Sequence, residues 1–123
     1  MLELLSSKYK IGIIANQAEG TASRLNKHGL MKFISLCYSS TEVGLSKPDI
    51  LFFKKALEEA SCKPEMAVMV GDRLDNDIKP ANILNMWTIR ILQGNAKHQE
   101  STEDIYKPDF EINNIEDILN ILI

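Results

Sequence analysis

The residues best suited to chemistry lie in one stretch, Val68-Met69-Val70-Gly71-Asp72-Arg73-Leu74-Asp75-Asn76-Asp77. An apolar run ends at a glycine, and Asp72, Asp75 and Asp77 follow. Carboxylates so close together repel one another unless a cation or hydrogen-bond donors hold them. For Asp72 and Asp77 a hard cation with oxygen ligands, most simply Mg²⁺, is the natural partner. Asp75 reads as an acid favoured at a helix start. A second candidate is Lys47, in Ser46-Lys47-Pro48-Asp49. Its ammonium could neutralise phosphoryl charge while a metal polarises the phosphoryl oxygen. Taken alone it is equally a solvated surface lysine.

These residues need elements that bring them together. Val68 and its apolar neighbours from Met66 to Val70 read as a buried strand of a parallel sheet. Ile11 to Ala15, Phe33 to Tyr38, Trp87 to Leu92 and Phe110 to Ile112 read the same way. Helices are expected over Leu2 to Ser7, Glu19 to His28, Asn76 to Leu84 and Ile115 to Leu122. Another should open at Pro48 and Asp49 and bury Ile50, Phe53, Ala56, Leu57 and Ala60. Gly29 would end the second helix, Pro80 must lie in a first turn or form a kink, and Asn113 or Asn114 should cap the last. Gln93 to Lys107 is polar and reads as a mobile connection. Strands alternating with helices mean an α/β fold, a Rossmann-like, mostly parallel sheet with right-handed crossovers. In such a sheet the strand tips at Asn16-Gln17, before Lys47 and at Asp72 emerge on one edge, where ligands bind.

The composition bounds the rest. The chain has 123 residues, enough for a single domain over 1–123. It is 45% hydrophobic and 25% charged, with a net charge of -3. No basic cluster appears, which argues against a nucleic-acid partner. No apolar run approaches a membrane span. Cys37 and Cys62 lack metal-ligand spacing, and reduced thiols in a cytoplasmic protein are the simplest reading.

On these motifs the sequence resembles the haloacid dehalogenase-like (HAD) hydrolases, most of all their phosphatase-type branch. Ile11 to Gln17 is similar to the family's second motif, Lys47 within Gly44 to Asp49 to its third, and Gly71 to Asp77 to its fourth. A receiver domain also combines acids, a lysine and Mg²⁺, but there the lysine follows the acids; here Lys47 precedes Asp72. The resemblance implies Mg²⁺ held by Asp72 with Asp77 in support, and Lys47 as the catalytic lysine that orients nucleophile and phosphoryl group. It implies a small phosphorylated substrate. The family often has Ser or Thr where Ala15 stands, so phosphate binding would fall to Lys47 and to the backbone amides of Asn16 and Gln17, or the Asn16 side chain. Asn16-Gln17 is also ordinary turn chemistry.

The family's first motif, Asp-x-Asp on a central strand, has no counterpart before Leu2, and the helical cap that follows it is missing too. The only Asp-x-Asp is Asp75-Asn76-Asp77, inside the fourth motif. The expectation is therefore an incomplete HAD core lacking its first strand and inactive alone. Its open edges would close by direct pairing of the Ile11 and Val68 strands, by a homodimer, or by a partner segment that brings the strand and its nucleophile. The alternative is a non-catalytic, truncated or degenerate fold serving as an oligomerising or binding module.

Overall fold

The computed structural model describes residues 2–15, 34–39 and 44–122. The expected helix from Glu19 to His28, its end at Gly29, and Asn16-Gln17 lie outside them. The elements are α1 (Leu2–Ser6), β1 (Gly12–Ala15), β2 (Leu36–Ser39), α2 (Ile50–Glu59), β3 (Val68–Gly71), α3 (Lys79–Ile83), β4 (Trp87–Ile91), β5 (Phe110–Ile112) and α4 (Ile118–Leu122). Every strand pairing is parallel. β1 runs beside β2 with Gly12 opposite Leu36, and β4 lies between β3 and β5 with Val68 opposite Trp87 and Ile89 opposite Phe110. The α/β, Rossmann-like reading of the sequence therefore holds.

The sheet comes in two pieces, β1-β2 and β3-β4-β5. No ladder joins β1 to β3 among the described residues, so direct pairing of these two strands is not how the edges close. The two pieces nevertheless share both packing layers. On one face Leu5, Ile89, Ile91, Ile112 and Ile118 form a buried cluster that takes in Ile11, Val68 and Val70. On the other, Phe53, Leu57, Met69, Ala81 and Met86 take in Ile14. Alternation along β3 sends Val68 and Val70 to the first layer and Met69 to the second. β1 and β3 are thus clamped between the same helical layers, each with one edge unladdered.

Local chemistry explains the helix boundaries. Asp49 is extended and its carboxylate accepts the Leu51 N–H at 2.9 Å, so Asp49 caps α2 and Pro48 stays outside the helix. Phe52 is as fully buried as Phe53, a wider apolar stripe than the expected set, in which Ile50 and Ala60 are only half-buried. Asn114 supplies the final cap, accepting from Glu116 N–H at 3.0 Å; the closing helix starts with a 3₁₀ turn and continues as α4. Asp49→Ala should cost about 1 kcal/mol in urea unfolding, whereas Asp49→Asn should be close to neutral.

The connection after β4 differs from its mobile reading. It carries 3₁₀ turns at Asn95–His98 and Asp104–Tyr106 and is tied down at several points. The Asn82 amide donates to the carbonyls of Ile105 and Lys107 at 2.8 and 2.9 Å. The buried Thr88 exchanges hydrogen bonds with Asp109, its N–H reaching the carboxylate at 2.9 Å. Side-chain anchors of this kind have no periodicity, so a polar stretch hides them.

Candidate active site

β3 carries the chain to Asp72, half-buried at the strand tip. A wide π-helical turn, Leu74–Ile78, follows. Its hydrogen bonds skip an extra residue: Ile78 N–H donates to the Arg73 carbonyl at 3.2 Å and Lys79 N–H to that of Leu74. Such turns cluster at functional sites. The α-helical part, α3, begins only at Lys79, so Pro80 falls in its first turn.

The wide turn drives Asp77 inward until its residue is 3% exposed. Asp77 lies directly against Gly71. A Cβ at Gly71 would stand 2.5 Å from the Asp77 Cβ, Cγ and Oδ2 atoms. The glycine is therefore required by close approach. Arg73 N–H donates to Asp77 Oδ2 at 3.2 Å, closing the loop on itself.

Lys47 reaches the same carboxylate from the loop after β2. Its Nζ donates to Asp77 Oδ1 at 2.6 Å, and the two side chains are only 14% and 4% exposed. A pair so shielded is little screened by salt, unlike a surface ion pair. The contact brings Lys47, in the segment after β2, to the acidic turn that follows β3. The expected phosphate ligands Asn16 and Gln17 lie outside the described residues. Ala15, just before them, is buried and offers no hydroxyl.

Asp75 turns away from this pair. Arg73 holds it in a fork, Nε to Oδ1 and a terminal nitrogen to Oδ2, both at 3.0 Å. These bonds hold the Asp75 carboxyl below its ordinary value against the upward push of partial burial, with Gln99 and the Asn76 N–H adding to the lowering. The same bonds raise the Arg73 guanidinium. Asp75 thus organises the helix start.

Gln99 and Arg90 are not legible in the sequence as site residues. Gln99 Oε1 accepts the Leu74 N–H at 2.8 Å, and Arg90, buried on β4, donates to the Gln99 carbonyl at 2.9 Å. An arginine in a strand with its charge taken out of water is the one signal that could have pointed there.

The donors fit a hard cation of Mg²⁺ type. They are carboxylate oxygens, and Mg²⁺ is commonly held by one or two of them, with water and substrate oxygens completing the shell. Asp72 is the carboxylate with room for an ion, since Asp77 already spends an oxygen on Lys47 and another on Arg73. No group of three or more His, Cys, Asp or Glu able to hold a metal forms among the described residues. Asp72 and Asp77 alone thus do not make a complete metal site among the described residues.

Comparison with known proteins agrees with this geometry. Residues 44–118, which hold Lys47, Asp72 and Asp77, match the model of a hydrolase family described as HAD-hydrolase-like. The chain is 37% identical over 123 residues to a glyceraldehyde 3-phosphate phosphatase of Methanocaldococcus jannaschii, covering 99% of this chain and 53% of that protein. It therefore spans about half the length of such curated relatives. A crystal structure of a HAD phosphatase from Thermococcus onnurineus superimposes with a TM-score of 0.84 at 27% identity, over 98% of this chain and 54% of that one. The magnesium-bound HAD-hydrolase YfnB of Bacillus subtilis shares the fold, with a TM-score of 0.84 at 24% identity over 98% of this chain and 52% of its own. The lysine before the acids, the parallel sheet and the family model all select the same answer, and the chain belongs to the haloacid dehalogenase-like hydrolases, with phosphatases among its relatives.

Proposed function

We propose that this chain builds the lysine and metal side of a Mg²⁺-dependent phosphate-monoester phosphatase. The observation that supports it best is the shielded Lys47–Asp77 pair, 2.6 Å apart, in the acidic turn that follows β3 and Asp72. In this reading Asp72 holds the ion directly. Asp77 sets the height of the Lys47 ammonium, which neutralises phosphoryl charge and orients the nucleophile. Asn16 and Gln17, which follow β1 in the sequence, are the expected further phosphate ligands. When bound, Mg²⁺ polarises the phosphoryl oxygen. The relative from Methanocaldococcus jannaschii is named for glyceraldehyde 3-phosphate, so a triose phosphate is the first substrate to try.

The nucleophile belongs, in this reading, to a strand lying between β1 and β3. Among the described residues both strands keep an unladdered edge while sharing two packed layers, as a missing central strand would leave them. A separate segment bearing the carboxylate would complete the sheet and the active centre together. The same open edges also suit the non-catalytic reading, in which a second copy covers them. Among the described residues no helix is long and apolar enough to cross a membrane, and Cys62 is a free thiol, which suits a reducing cytoplasm.

Mg²⁺ titration followed by amide shifts tests the metal assignment. Wild type should bind weakly, in roughly the millimolar range, because few protein oxygens are in place. Asp72→Asn should abolish the response around Gly71. Equal binding by both proteins would remove Asp72 from the metal role.

A further inference from the structure

Three backbone donors at the start of the acidic turn have side-chain acceptors. Arg73 N–H goes to Asp77 and Asn76 N–H to Asp75. The Leu74 N–H is different. Arg73, at the cap position, gives it no side-chain acceptor. Its acceptor is Gln99 Oε1, 25 residues further along the chain, at 2.8 Å. The other atom of the same amide, Nε2, donates to Asp75 Oδ1 at 3.3 Å. The Leu74 N–H can only donate and the ionised Asp75 can only accept, so the amide fits one way round and uses both of its ends.

Gln99 is itself held in place. The Arg90 guanidinium donates to its carbonyl at 2.9 Å and to Glu111 at 3.3 Å. Arg90 lies opposite Gly71 in the β3–β4 ladder, so the support starts from the strand beside the site. Burying a guanidinium is expensive, and here it anchors a backbone carbonyl in an irregular stretch. The acidic turn is thus gripped from both sides, by Lys47 on Asp77 and by Gln99 on Leu74 and Asp75.

We propose that Gln99 is a positioning residue of the active site: carried by Arg90, it caps the acidic turn from outside and sets where Asp72 and Asp77 stand. The assignment rests on the acidic-loop reading of the site. It calls for a side chain that accepts at one end and donates at the other. Glutamate keeps the acceptor but sets a carboxylate against Asp75. Alanine keeps neither.

Gln99, Leu74 and Arg90 line an open cavity of about 770 Å³, so in Gln99→Ala water can enter where the amide was. The turn should loosen without unfolding the protein. Hydrogen exchange resolved by residue, on the whole chain, reads this directly. Gln99→Ala should speed exchange at the Leu74 N–H by about tenfold, the scale of one net hydrogen bond, with β4 amides unchanged. Gln99→Glu should restore Leu74 protection. In a Mg²⁺ titration Gln99→Ala should bind about tenfold more weakly than wild type, as expected when a partner that orients a metal ligand is removed. Gln99→Glu, protected at Leu74 yet lacking the donor to Asp75, should fall between. Unchanged Leu74 exchange in Gln99→Ala overturns the proposal, and so does one uniform acceleration across all amides, which would mark a general loss of stability. Wild-type and Gln99→Ala proteins binding Mg²⁺ equally also overturns it. A wild type that binds no Mg²⁺ counts against the phosphatase reading instead, and the exchange measurement still decides whether Gln99 holds the turn.

Discussion

Assayed alone with Mg²⁺ and an aryl phosphate, these 123 residues should give no turnover above the metal blank. Adding a peptide strand that ends in Asp-x-Asp should bring turnover, and Asp72→Asn should remove it again. The first half follows from the division of labour in phosphoryl transfer. The metal and lysine stabilise charge, but bond formation needs a nucleophile held in line, and positioning it is where much of the barrier is removed. Removing the nucleophile from an otherwise intact hydrolase costs about 10⁶-fold in rate. In the proposed function Lys47, Asp72 and Asp77 would supply the charge-handling side, and Asp77 is committed to Lys47 and Arg73.

The second half follows from the sheet. Among the described residues β1 and β3 each present one unladdered edge, and both packed layers already bridge them through Ile11, Ile14, Val68, Val70 and Met69. An inserted parallel strand would gain ladder hydrogen bonds on both sides and carry its tip to the edge where Lys47 meets Asp77. Turnover by the chain alone that depends on Asp72 would overturn the claim of inactivity. A peptide that binds without conferring turnover would count against the placement of the nucleophile. Sedimentation without peptide, at several protein concentrations, separates the remaining case: a dimer that dissociates when peptide is added means that a second copy covers the same edges.

Much of this site is legible in the residues alone. The strand at Val68 is legible because a short apolar run that stops at a glycine and acids has the form of a buried parallel strand with its tip in solvent. Lys47 is legible through its order and context, since a lone lysine carries no signal. What escapes is held by single contacts. The π turn depends on a bond from Ile78 back to Arg73, which no hydrophobic period encodes. Gln99 sits in a stretch without periodicity, and its grip on Leu74 spans 25 residues. Phe52 falls outside the helical set that Ile50, Phe53 and Leu57 make, yet it is fully buried, because α2 is covered over a wider arc than that set spans. Gly71 reads in sequence as a residue for a sharp turn or for close approach of the backbone to a ligand. Its stricter reason, the carboxylate packed against it, exists only in the folded chain.

That reason predicts a large effect from a small change. Gly71→Ala should destabilise the protein and disable the site together. The added Cβ would lie 2.5 Å from the Asp77 Cβ, Cγ and Oδ2 atoms, well inside contact distance. The obstacle is the stem of a buried side chain in a helical turn, with little freedom to retreat. Overpacking of this kind costs about 1–3 kcal/mol. Pushing Asp77 aside also stretches its bonds from Lys47 and Arg73 N–H, and bonds to charged groups contribute about 1.5–3 kcal/mol each. Some of the second cost is avoided if the turn moves as a unit, so a total of about 2–4 kcal/mol in urea unfolding is expected. Asp77→Ala in the same background identifies the cause. It removes the Cγ and Oδ2 clashes but leaves the Cβ one. The double variant should then be less destabilised than the sum of the single variants by about 1 kcal/mol, the non-additivity of residues in contact. Strict additivity would mean that the Gly71 methyl and Asp77 never meet. Gly71→Ala at wild-type stability with an unchanged Mg²⁺ response would show that the acidic turn is not packed on β3 as described.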